Sequence, residues 1–245
     1  MRKPSQIHRM LLTKFWSAPA KLCVSVFLLA PASAMATEHE AGIWNILSTT
    51  NSFPRDAGDS RWSYALDIQA RYPSLGTGAN QQLIRPSVGY RVGENLQVWL
   101  GYARTRARNS AGFVADENRL FQQANWTAGQ FKGGTFTMRA RLLQRDVSVG
   151  DDVGLVLRLM TKYTRPIGDD GVATLILGLE PFFDLRDTDW SGDTGLSQNR
   201  TYAGVGWRLS DKLALETGYM NQYIFRDGRE DVSNHIAVLN FKVKF

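Results

Sequence analysis

From residue 40 onward the chain alternates. Between Arg61 and Tyr72, one phase holds Trp62, Tyr64, Leu66, Ile68, Ala70 and Tyr72, and the other holds Arg61, Ser63, Ala65, Asp67, Gln69 and Arg71. A period of two marks a β-strand whose faces meet different surroundings. The pattern recurs at 83–92, 135–145, 153–164, 199–209 and 235–245, and more weakly at 42–49, 95–105, 117–128, 172–184 and 212–225. No stretch beyond residue 40 keeps a 3.6-residue apolar period for long, and no run of 18 apolar residues occurs there. The expected class is all-β.

Strands of about 10 to 12 residues are long for a soluble sandwich and suit a tilted crossing of a bilayer. The polar phase is rich in Arg, while Tyr72, Tyr90, Tyr102, Tyr163, Trp207, Tyr219, Tyr223 and Phe245 fall near the ends of the apolar phase. Amphipathic rings prefer the two membrane interfaces, so this distribution fits aromatic girdles. The chain ends on Phe245, with Val243 and Phe241 in phase before it. Such an ending resembles the signal that barrel-assembly machinery reads on outer-membrane proteins. The expectation is a transmembrane antiparallel up-and-down β-barrel of ten to twelve strands.

Turn-like connections at 92–95, 165–171 and 210–212 alternate with longer, more acidic ones at 106–116, 146–152, 185–198 and 226–231. Short turns on the periplasmic side and long loops outside are the habit of these barrels. The segments amount to eleven strand candidates, whereas single-chain bacterial barrels normally have an even number. Either 37–60 is a partial strand or periplasmic segment, giving ten, or one strand is hidden, giving twelve.

Charge changes the picture at the N-terminus. The chain has 29 Lys+Arg and 23 Asp+Glu, but Arg2, Lys3, Arg9, Lys14 and Lys21 all precede the first acidic residue. The remainder carries 24 basic against 23 acidic residues, which removes the case for nucleic-acid binding. The apolar run Leu22–Ala30 follows those charges and leads to Ala34-Met35-Ala36. This is the layout of a secretory signal over residues 1–36, cleaved before Thr37. Cys23, the only cysteine, lies inside it, so a mature chain over 37–245 has neither a disulfide framework nor a cysteine metal site. The expected location is the bacterial outer membrane.

Several segments resemble a known family. They are the Trp44 segment, Arg139-Ala140-Arg141, Arg158, Leu179-Glu180-Pro181-Phe182-Phe183, Gln198-Asn199-Arg200-Thr201-Tyr202 and Leu215-Glu216-Thr217-Gly218-Tyr219. Together they are similar to the outer-membrane proteins grouped as domain of unknown function 2490. The resemblance implies a barrel in a Gram-negative outer membrane and implies no reaction.

With the polar phase inward, the lumen collects many cations and few acids. We single out Arg139, Arg141, Arg158, Glu180, Arg200 and Glu216 as a lumen charge cluster. Arginine there either braces the barrel through bidentate carboxylate pairs or leaves a positive potential that draws small anionic solutes through a narrow, porin-like channel. An enzymatic alternative rests on Ser233, His235 and Asn221, which share the outward phase near the outer rim. There a histidine base and an orienting amide could activate the serine of a lipid or lipopolysaccharide acyl hydrolase. His39 has no evident partner.

Other motifs reduce to turns. Gly133-Gly134 lacks the lysine and helix of a phosphate loop, and Asp169-Asp170-Gly171 lacks the spacing of a calcium loop. The expected partners are outer-membrane lipid and lipopolysaccharide, and the assembly machinery through Phe245. No cofactor or metal is expected.

Overall fold

The structure, a computed structural model, describes residues 37–54, 60–168 and 171–245. The expected signal segment 1–36 lies outside the described residues. Eleven strands follow one another: β1 (Thr37–Ser52), β2 (Trp62–Tyr72), β3 (Asn80–Arg91), β4 (Leu96–Arg108), β5 (Val114–Phe131) and β6 (Gly134–Val147), then β7 (Val153–Ile167), β8 (Ala173–Asp184), β9 (Gly195–Arg208), β10 (Leu213–Ile224) and β11 (Asp231–Val243). They close into a barrel in which each strand pairs with its sequence neighbours and β1 pairs with β11. Closure leaves no unpaired edge.

Eleven lies within the expected ten to twelve, but the count is odd, which corrects the two even alternatives of ten or twelve. Every sequential pair is antiparallel, but β1 meets β11 in parallel, from Thr37 opposite Asp231 to Thr49 opposite Val243. One parallel seam reconciles an odd number of strands with closure. It also shows that 37–52 is a full wall strand and not a partial one. The seam places Thr37 at the end of the barrel that carries the longer loops, while β11 finishes at the turn end.

Turn chemistry matches the sequence at the turn end. Lys132 and Gly133, at φ 46° and 74°, form a two-residue connection between β5 and β6 with both residues left-handed, the geometry whose twist suits a hairpin. The connections at 92–95 and 209–212 are likewise short. At the other end the expected loop 106–116 shrinks to 109–113, because β4 runs on to Arg108 and β5 starts at Val114. Those residues belong to strands that rise past the apolar band.

The alternation sorts the walls as expected. Leu100, Ile84, Leu120, Leu177 and Phe241 are exposed on the outer face, while Arg71, Arg141, Arg158 and Glu180 are buried inside. Two apolar groups also sit in the lumen. One unites Trp44, Met220, Ile236 and Val238 at the seam. The other unites Phe121, Leu143, Val156 and Phe182 across it. Phe121 needs room in a narrow barrel, and Gly101 supplies it: a Cβ there would come within 2.2 Å of Phe121 Cζ.

Candidate functional site

Glu180, on the inner face of β8, is the hub of the lumen. Arg158 donates from Nε at 3.0 Å and from Nη2 at 2.8 Å to its two carboxylate oxygens. Arg139 donates from Nη2 at 2.5 Å. These three strands are adjacent, so inward positions on β6, β7 and β8 converge because the barrel curves around them. A bidentate pair of this kind fixes geometry as well as charge.

Aromatic faces extend the hub across the lumen. The Arg158 guanidinium lies over Phe182 at 4.2 Å, and Arg200 lies over Phe182 at 4.6 Å and over Trp44 at 4.9 Å. Arg71 covers Trp44 at 4.1 Å and is held by Gln69 and Gln81. A ladder of guanidinium and ring planes thus runs from β7 through β8, β9 and β1 to β2. Planar, weakly hydrated guanidinium stacks on rings where an ammonium would need water.

The six cluster residues do not form a single group. Arg139, Arg158 and Glu180 make one network, and Arg200 joins it through Phe182. Arg141 faces Arg158 across the β6–β7 ladder, but its Nε donates to Gln123 at 2.6 Å and its guanidinium lies over Phe121. Glu216 stands apart, toward the turn end, paired with Lys242. A second network escaped the sequence reading: Glu117 takes Arg145 and Arg119, each at 2.5 Å. Its strand alternates weakly, which hid it. The ring-bearing members Trp44, Phe121 and Phe182 also escaped, since an aromatic in a barrel strand is first read as lipid-facing.

The loop end above this network is covered. Trp190 donates from Nε1 to the Asp152 carbonyl at 2.7 Å and lies under Arg145. Asp189 accepts the amide N–H groups of Asp151 and Asp152 at 2.9 and 3.3 Å. The acidic residues here lace two loops to each other. At the turn end a cleft of about 190 Å³ opens beside Arg91, Gln97, Asn125 and Thr137.

Asn221, Ser233 and His235 do share the outer face near the loop end, and Asn221 is the register partner of His235. Their hydrogen bonds run differently from a nucleophile–base pair. Asn221 Nδ2 donates to Ser233 Oγ at 2.8 Å. His235 instead meets Tyr219 Oη at 2.7 Å and His39 Nδ1 at 3.0 Å. His39 therefore does have a partner, brought to it by the parallel seam. Among the described residues no group of three or more His, Cys, Asp or Glu could hold a metal ion.

The family described as protein of unknown function (DUF2490) matches residues 41–233. The chain belongs to this family. An uncharacterised protein of Methylorubrum extorquens is 32% identical over 187 residues, covering 75% of this chain and 81% of that protein. The Glu180 hub and the Arg–aromatic ladder, from Trp44 on β1 to Arg200 on β9, lie within the family's matched region, which ends before Ile236 and Val238 of the seam. Among solved structures, the translocator domain of the autotransporter NalP from Neisseria meningitidis is similar at a TM-score of 0.43 and 15% identity, covering 76% of each chain.

Proposed function

We propose that this family member is an integral outer-membrane barrel whose lumen is closed by its own side chains, and that it serves the envelope as a structural component and not as a solute channel. One observation carries the reading: the Arg–aromatic ladder and the Glu180 hub cross the middle of the lumen, with Arg158, Arg141 and Glu180 each at most 7% exposed. Interior-facing side chains that fill a small barrel brace it.

The membrane part of the reading has its own support. No helix among the described residues is long and apolar enough to cross a membrane. The outer face of the strands is apolar at mid-height, with Tyr72, Tyr102 and Tyr219 toward the loop end and Trp62, Tyr90 and Trp207 toward the turn end. The basic–apolar leader at residues 1–30 and the terminal Phe245 fit export and assembly. With the turns in the periplasm, Thr37 faces outside and Phe245 faces inside. The hydrolase alternative is less well served, because Ser233 is bonded to Asn221 and His235 to Tyr219 and His39, with no bond between serine and histidine.

Conductance of the refolded protein in planar bilayers tests the closed lumen. Folded, heat-modifiable wild type is expected to give no stable steps, and Arg158→Ala combined with Phe182→Ala is expected to open them. Stable, anion-selective steps from the wild type would establish the channel instead.

A further inference from the structure

The outer face of β4 changes character near the loop end. Val98, Leu100 and Tyr102 point outward and are exposed, as a lipid-facing strand requires. The next three outward positions are Arg104, Arg106 and Arg108, all exposed. Their inward neighbours Thr105 and Ala107 are small and uncharged. At about 3.4 Å per residue the column climbs about 14 Å from Arg104 to Arg108. It starts one outward position beyond Tyr102, whose ring belongs at the membrane interface.

The neighbours offset only part of this charge. Arg104 is held in place, donating from Nη1 to Asn118 at 2.8 Å and approaching Asp116 at 3.4 Å. Asn118 is fixed in turn by Tyr102 Oη at 2.6 Å and by Asp146 at 3.4 Å. Asp116 and Asp146 are the acids on this face. On the β3 side the partners of Arg106 and Arg108 are Gln82 and Asn80, and on the β5 side they are Asp116, whose ion pair is with Arg104, and Val114. Among the described residues neither Arg106 nor Arg108 has a carboxylate within ion-pair distance, and loop 109–113 contains no acidic residue.

We propose that Arg104, Arg106 and Arg108 form a binding site for the phosphorylated headgroups of outer-leaflet glycolipid. This rests on the membrane reading above. Guanidinium groups grip phosphate oxygens bidentately, and the column sits at the height where a lipid wrapped against Leu100 and Tyr102 would present its phosphates. Arg104 is pre-positioned by Asn118, and Arg106 and Arg108 supply the free charge. Lipid chemistry fits better than a soluble anion because the patch continues directly into the apolar wall.

The test uses purified, heat-modifiable protein in detergent, titrated with diphosphorylated lipid A and with its dephosphorylated form, and read by native mass spectrometry. The wild type is expected to bind only the phosphorylated form. Arg106→Gln with Arg108→Gln is expected to weaken that binding about thirtyfold, at about fivefold per surface charge. Arg165→Gln, at the turn end, is expected to change nothing. Excess inorganic phosphate that displaced the lipid completely would overturn the assignment to a lipid, as would equal binding of both lipid forms or an unchanged double variant. Purified protein is used throughout, so the result stands apart from cell fractionation, which tests the membrane location itself.

Discussion

The two sides of the lumen are held by different forces. On the β5–β8 side two interior carboxylates each gather two guanidinium groups, Glu180 with Arg139 and Arg158 and Glu117 with Arg119 and Arg145. On the seam side Trp44, Met220, Ile236 and Val238 pack as a small apolar core with Ile46 and Tyr202 against it. The seam joins the first and last strands, so its contacts span nearly the whole described chain, and its parallel ladder is slightly less stable per residue than an antiparallel one. Burial of apolar area is non-directional and tolerates small errors of register during closure. Ion pairs demand exact geometry, and these sit within a strand or between strands no more than two apart in the chain, where local pairing already supplies it. Trp44 touches both regimes, packing with Ile236 on one side and receiving Arg71 and Arg200 on the other.

The largest effect should come from breaking the charged side. Glu180→Ala leaves Arg139 and Arg158 without their carboxylate in a dry interior, which costs about 3–5 kcal/mol for a buried pair stripped of one partner. Glu180→Gln keeps one carbonyl acceptor and should fall between that variant and the wild type. Urea unfolding of the refolded barrel, followed by tryptophan fluorescence, reads both. A loss below about 1 kcal/mol for Glu180→Ala would mean that the hub braces nothing.

The seam should yield to a neutral change. Ile236 has no exposed surface and lies among Trp44, Met220 and Val238. Ile236→Ala removes three carbons and leaves a cavity, worth about 2–5 kcal/mol and toward the lower end where neighbours can relax. Added salt should leave this loss unchanged. If the same truncation cost nothing, closure would rest on backbone pairing alone.

The charged side was legible in the sequence and the seam was not, for the same physical reason. Where inward residues are Arg and Glu and outward ones are Leu and Tyr, hydropathy alternates, so Arg139, Arg158 and Glu180 could be placed on one face before any coordinates. In β1 the inward Trp44 and Ile46 are as apolar as the outward Ile43 and Leu47. Alternation vanishes wherever the lumen itself is apolar, and the strand reads as half a strand. The arginine column on β4 was lost by the converse effect. Beyond the apolar band the outward phase turns polar, so Arg106 and Arg108 invert the pattern and look like loop. The eleven candidates were countable, but an odd number could not be accepted from sequence, because parallel closure is decided between chain ends and leaves no local mark.

The smallest effect sharpens the comparison most. Lys242 on β11 pairs with Glu216 on β10, so the seam side also has an ion pair. Its lysine side chain is 43% exposed, against 9% for the side chain of Arg158. Water and salt screen such a contact, and the flexible ammonium gives no bidentate grip, so Lys242→Gln should cost at most about 1 kcal/mol and less in high salt. The same unfolding experiment in low and high salt checks it. A loss as large as that of Glu180→Ala would show that the seam, too, depends on charge, and the division between the two sides would fail. A small, salt-sensitive loss would show that burial and bidentate geometry, more than the presence of opposite charges, make the β6–β8 side rigid.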